Sequence, residues 1–130
     1  VINPSLSLEQ LEGHAWGAPP ADATRLVRTA HELRRKPVGE LSAEDLRLLL
    51  GQHVGVEVLV PLALTHLEHD PMTEGDFYPG DLLAAVLEVP ATHWPGHPGD
   101  LGRVRRVLEA VTDDTGVRRQ IDAFRAAHLR

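Results

Sequence analysis

The residues of this sequence that could do chemistry fall into three groups. The first is Glu74-Gly75-Asp76-Phe77-Tyr78-Pro79-Gly80-Asp81, which sets three acids around two adjacent aromatic rings. Rings supply contact area and carboxylates supply direction, a combination suited to gripping arginine or lysine on a protein partner. The competing use is structural: Phe77 packs into a core while Asp76 and Asp81 cap the helix that follows. Both uses fit together if Phe77 points in and the acids point out. The second group is the histidines, eight in all. His66 and His69 share a helix face, and His93 and His97 flank a loop. With Glu68 or Asp70 they could assemble a zinc set, but the spacing matches no zinc signature and the second pair lies in a Pro/Gly loop. Structural or surface histidines are expected, with no metal and no cofactor. The third group is His31 beside Glu32, with Arg34 and Arg47 near in sequence. These suit a polar network holding neighbouring helices better than an acid–base pair.

Other chemistries lack their motifs. There is no GxSxG, Walker or dinucleotide pattern, so no catalytic residue and no small-molecule substrate is expected. Without cysteine there is neither thiol chemistry nor a disulfide framework, which fits a reducing cytosol. Charge is more telling. Net charge is −6, but all 13 Lys and Arg residues lie outside residues 48–102, a window that holds eight acids. The window disfavours nucleic acid as a partner and favours a basic protein surface. Arg25, Arg28 and the Arg34–Lys36 run, with Arg103, Arg105 and Arg106, are the only features that speak for DNA. The acids of the window could equally be a solvated surface.

The elements that must position these groups read as helical. Ser5 or Ser7 caps a short helix over Leu8 to Glu12, stopped at Gly13. Asp22 or Thr24 caps a helix to about Lys36, with Leu26, Val27, Ala30 and Leu33 as its inward stripe. Arg34, Arg35 and Lys36 then complement the macrodipole in its last turn, and Pro37 ends it. Ser42 and Asp45 form a capping-box-like pair before Leu46, Leu49 and Leu50, with Gly51 as C-cap. Gly55 starts a helix apolar nearly all round, from Val56 to Leu67, which should be central; Pro61 kinks or restarts it. Although Leu48 to Leu67 is apolar, its glycines, His53, Glu57 and Pro61 point to two buried elements rather than a membrane span. Val54 to Val60 is the one stretch with strand-like β-branching. Pro79 suits the first turn of the next helix, which turns Leu82, Leu83, Val86 and Leu87 inward. Asp100 caps a further helix, and Gly116 precedes a last one carrying Val117, Ile121 and Phe124. The expected fold is all-α: a compact bundle of roughly six to seven short helices in a single domain over residues 1–130.

Four blocks in order make the chain more specific: Leu26-Val27-Arg28-Thr29 with His31 to Pro37; Glu44-Asp45-Leu46-Arg47 with Gly51-Gln52 and Gly55; Leu59 to Leu64; and Glu74 to Leu83. With Trp16-Gly17 and Pro19 they resemble immunity proteins of contact-dependent growth inhibition (CDI) systems, over about residues 6–89. The resemblance implies a cytoplasmic, non-enzymatic protein that binds and neutralises the C-terminal toxin domain delivered by a neighbouring cell, often a nuclease. It carries over no contact residue. Joined to the charge pattern, it puts the expected toxin-binding residues at Glu68, Asp70, Glu74, Asp76, Tyr78 and Asp81. The alternatives are a helical adaptor or regulatory protein-binding domain and a metal-dependent hydrolase.

Overall fold

The computed structural model describes residues 2–129, one residue short of the sequence at each end. Among them the chain forms seven α-helices: α1 (Leu8–Glu12), α2 (Arg25–Leu33), α3 (Ala43–Gly51), α4 (Val56–His69), α5 (Asp81–Leu87), α6 (Pro98–Glu109) and α7 (Arg118–His128), with 3₁₀ turns at Val38–Glu40 and Ala91–His93. No strand longer than two isolated antiparallel bridges, Ser7 to Pro37 and Glu74 to Pro79, occurs among the described residues. The all-α expectation holds, and Val56 to Val60 is helical despite its β-branched residues.

Side-chain caps set three of the seven helix starts. Ser7 caps α1 in a full capping box with Gln10, and Gly13 closes it with φ 68°. Thr24, not Asp22, caps α2 by accepting from the Val27 amide at 3.2 Å. Ser42 and Asp45 complete their box at 3.0 and 3.1 Å. Other starts differ from expectation. Pro79 lies outside α5 in the bridge to Glu74, and Gly80, with φ 90°, precedes the helix. Asp100 is the third residue of α6 and makes no cap; its carboxylate meets His93 Nε2 at 3.2 Å, and Pro98 opens the helix.

Helix ends depart further. α2 stops at Leu33 rather than near Lys36, because the Arg35 and Lys36 amides turn back to the Glu32 and Leu33 carbonyls before Pro37. Arg34 is therefore not an exposed last-turn cation; it is buried, pairs with Glu12 and donates from Nη2 to the His14 carbonyl at 2.6 Å. Gly51 is the last residue of α3 rather than its cap, and His53 (φ 57°) and Gly55 (φ 64°) make the reversal. A Cβ on Gly55 would meet both Leu8 methyls at 2.9 Å, so close packing as well as φ selects glycine. α4 runs continuously through Pro61, and among the described residues no helix is long and apolar enough to cross a membrane.

The buried residues form one cluster, mostly Leu, Val and Ala, with Trp94 set edge-on to Phe124 at 5.1 Å. α4 is central to it, packing against α3, α5 and α6 with Leu59, Val60, Ala63, Leu64 and Leu67 inside, although its Glu57, Thr65, His66, Glu68 and His69 are exposed. Beside it lies α5, every residue of which is buried, packed against α3, α4 and α7. A short helix buried on all sides leaves the loop before it nowhere to go but outward. That loop is residues 70–80.

Candidate protein-binding surface

Asp81 opens α5 and is only 3% exposed. Its Oδ1 accepts from the Gly75 amide at 2.6 Å and its Oδ2 from the Phe77 amide at 3.1 Å. Between them, the Asp76 amide donates to Glu44 Oε1 at 2.8 Å. Three successive loop amides are thus satisfied by two carboxylates from different helices. Glu44 also chelates Arg47, one turn on in α3, through two bonds of 2.6 Å, and Arg47 Nε stands 3.9 Å from Asp81. Hydrogen bonding to Arg47, reinforced by the Asp76 amide and opposed by burial, holds the Glu44 carboxyl below its ordinary range; the same pair raises Arg47. Gly75 suits this crossing, since a Cβ there would lie 2.5 Å from Glu44 Oε1 and 3.1 Å from Asp81 Oδ2 and would have to displace the carboxylates that hold the loop.

The anchored loop holds its aromatic pair outward. Phe77 is 67% exposed and lies over the Arg47 guanidinium at 4.4 Å; Tyr78 is 37% exposed. A cleft of about 510 Å³ beneath them is lined by Arg47, Phe77, Tyr78, Asp81, Ala85 and Glu88. A second hollow on the far side of Tyr78, of about 340 Å³, brings in Met72, Asp113 and Gly116. Phe77 and Asp81 reverse the expectation of Phe77 inside and acids outside, whereas Glu74 and Asp76 are exposed as expected. A carboxylate at the buried start of α5 can satisfy loop amides that a phenyl ring cannot, while the ring finds its partner on the guanidinium face.

The six expected contact residues are placed unequally. Glu74 and Asp76 are exposed on the loop with Tyr78, and Asp81 lies beneath them. Asp70 is exposed at the end of α4, where its Oδ1 accepts from the Met72 amide at 3.0 Å and shapes the turn into the loop. Glu68 faces α6 instead. Arg103 holds it through two bonds of 2.8 and 2.9 Å, keeping its carboxyl below the ordinary range. Arg47 and Arg103 each lie one residue outside the window without basic residues, so a segregation clear in sequence is partly undone in space.

Glu44, Arg47, Gly75, Glu88 and Asp113 were missed as site residues; only the i, i+3 spacing of Glu44 and Arg47 signalled a pair.

The histidines are divided among separate tasks. His66 and His69 are exposed on α4. His93 and His97 stack with ring centroids 4.0 Å apart, and His97 Nδ1 meets the His93 carbonyl at 2.6 Å. Burial, then the neighbouring His97, pushes the His93 pKa down, against the pull of Asp100. Among the described residues no three of His, Asp or Glu are grouped to hold a metal ion. His31 joins a polar network, though not with Glu32 or Arg47. Its Nδ1 meets the Gly17 carbonyl at 3.2 Å, Arg35 donates to that carbonyl at 2.7 Å, and Trp16 is held edge-on to His31 and 4.4 Å from the Arg34 guanidinium. Leu26 and Val27, expected on the inward stripe of α2, are 40% and 39% exposed; only Ala30 and Leu33 of that stripe are buried.

Residues 10–104 match the family model of CDI immunity proteins, which is well over half the chain. No curated protein and no solved structure matches the chain.

Proposed function

We propose, from the premise that this chain belongs to the family of CDI immunity proteins, that it protects its host by binding a cognate toxin's C-terminal domain through the Glu74–Asp81 loop and the surface around it. The choice of surface rests on one observation: Phe77, 67% exposed, is held out on a loop fixed from below by two carboxylates. An aromatic side chain ordered before binding loses little entropy on docking. Glu74, Asp76 and Glu88 surround it with negative charge. If the toxin is a nuclease, its cleft must attract phosphates, and an acidic surface carrying an aromatic knob competes for that cleft and speeds association. In this reading the protein acts in the cytoplasm by binding rather than by catalysis. It needs neither a cofactor nor a small-molecule substrate, and it engages neither nucleic acid nor membrane.

The test is calorimetry with the toxin domain encoded by the adjacent gene, alongside an assay of that toxin's activity. A complex of nanomolar dissociation constant or tighter, about −12 kcal/mol, with loss of toxin activity is expected. No complex, or a complex that leaves the toxin fully active, overturns the immunity reading. A complex formed equally well by Phe77→Ala overturns the choice of surface.

A further inference from the structure

The large hydrophobic residues exposed among the described positions are Trp16, Leu26, Val27, Phe77 and Tyr78. The first three form a patch of their own, around a shallow hollow of about 150 Å³ between the Gly13–Gly17 loop and α2. Trp16 does not lie there by default. Arg34, 2% exposed, sits 4.4 Å from its ring, pairs with Glu12 and binds the His14 carbonyl, while His31 and Arg35 both hold the Gly17 carbonyl. Burying a guanidinium is unfavourable unless it is well paired. Here the buried group fixes an indole that remains 38% exposed. Next to it, the outer half of an amphipathic helix stripe, Leu26 and Val27, is only partly covered and remains 40% and 39% exposed.

The two aromatic patches are neighbours. Gly51 lines the cleft under Phe77, and the next residue, Gln52, lines the hollow beside Trp16. Both are exposed at the end of α3, the helix against which α5 and α2 both pack. A stable protein interface buries about 800 Å² on each partner, more than one short loop can supply.

We infer that the toxin-binding surface is composite, running from Phe77 and Tyr78 across Gly51 and Gln52 to Trp16, Leu26 and Val27. This rests on the immunity reading above. The charge around the two halves describes the occupant. Asp76 and Glu88 flank the first half, and Arg25 and Arg28 flank the second. The matching face of the toxin domain carries basic residues toward Phe77 and an apolar strip with acidic neighbours toward Trp16.

The experiment uses the full chain and the cognate toxin domain. Affinity is measured for the parent, Phe77→Ala and the double variant Leu26→Ser with Val27→Ser, whose positions are exposed and whose folding is checked by melting. In parallel, the protein carrying 5-fluorotryptophan is followed by ¹⁹F NMR, with the Trp16 signal identified by Trp16→Phe and Trp94, 1% exposed, as internal control. Each variant is expected to weaken binding by at least about tenfold, and the toxin is expected to shift the Trp16 signal more than that of Trp94. If the parent binds and only Phe77→Ala weakens it, with the Trp16 signal unmoved, the interface ends at the first cleft and the composite surface is wrong. If only the double variant weakens binding, the interface is confined to the second patch, and the inference fails on the other side. If the parent does not bind, the immunity reading itself falls and takes the composite surface with it.

Discussion

Replacing Asp81 by alanine separates a loop anchor from a contact residue. The carboxylate is 3% exposed and accepts from two loop amides, at 2.6 and 3.1 Å. A hydrogen bond to an ionised group contributes about 1.5–3 kcal/mol. Both are lost, but the freed Gly75 and Phe77 amides belong to a surface loop and regain water if it opens. Arg47 keeps its two bonds to Glu44, so no uncompensated charge is left behind. The net cost is therefore about 3 kcal/mol. For a domain of this size that is about 10 °C in melting temperature. Asp81→Asn keeps one acceptor and the shape, and should lose about half as much. The assay is thermal melting by circular dichroism, paired with toxin binding. Asp81→Ala should weaken binding through a loosened loop, whereas Asp76→Ala, on an exposed side chain, should melt within about 1 °C of the parent. If Asp81→Ala also melts within about 2 °C of the parent, the carboxylate does not hold the loop, and the account of how Phe77 is presented is wrong.

Gly75→Ala places a methyl 2.5 Å from Glu44 Oε1 and should cost about 1–3 kcal/mol, read as a lower urea midpoint at unchanged slope; an unchanged midpoint would mean that the Glu44 carboxylate moves aside freely and does not hold the loop. Glu74→Lys and Asp76→Lys should slow toxin association and flatten its salt dependence, whereas the double variant Glu68→Ala with Arg103→Ala, which removes a mutually paired acid and base and leaves the net charge unchanged, should change it little; stopped-flow rates at several ionic strengths decide. Burial holds the His93 pKa below its ordinary value, so the unfolded chain takes up the proton first and stability should fall as pH drops below about 6.5, levelling off beneath the folded value. His93→Gln should shallow the loss of melting temperature between about pH 7.5 and 5.5, and parallel curves for the two proteins would assign that loss to other groups.

Helix class and most helix positions were legible in the sequence because they rest on local rules. Ser7, Thr24 and Ser42 cap the helices they precede, and Gly13 closes α1. The acidic loop with its aromatic pair also stood out, because Glu74 to Asp81 is contiguous. What the sequence could not decide was which side of each element faced inward once several helices competed for one core. The apolar character of α4 marked it as central, and it packs against three helices, yet it keeps an exposed face, whereas the shorter α5 is buried at every residue. Leu26 and Val27 had the spacing of a buried stripe and stayed 40% and 39% exposed, while Ala30 and Leu33 of the same stripe are buried. The reversal of Phe77 and Asp81 has the same origin: three loop amides needed acceptors, and the residues nearest to supply them were Asp81 and Glu44, the latter 32 positions away. Charge followed suit, with Arg47 and Arg103 entering a window that is purely acidic as a string of letters. Periodicity and capping are properties of neighbours along the chain, whereas exposure, pairing and the joining of two aromatic patches through Gly51 and Gln52 depend on neighbours in space, which only the packed helices define.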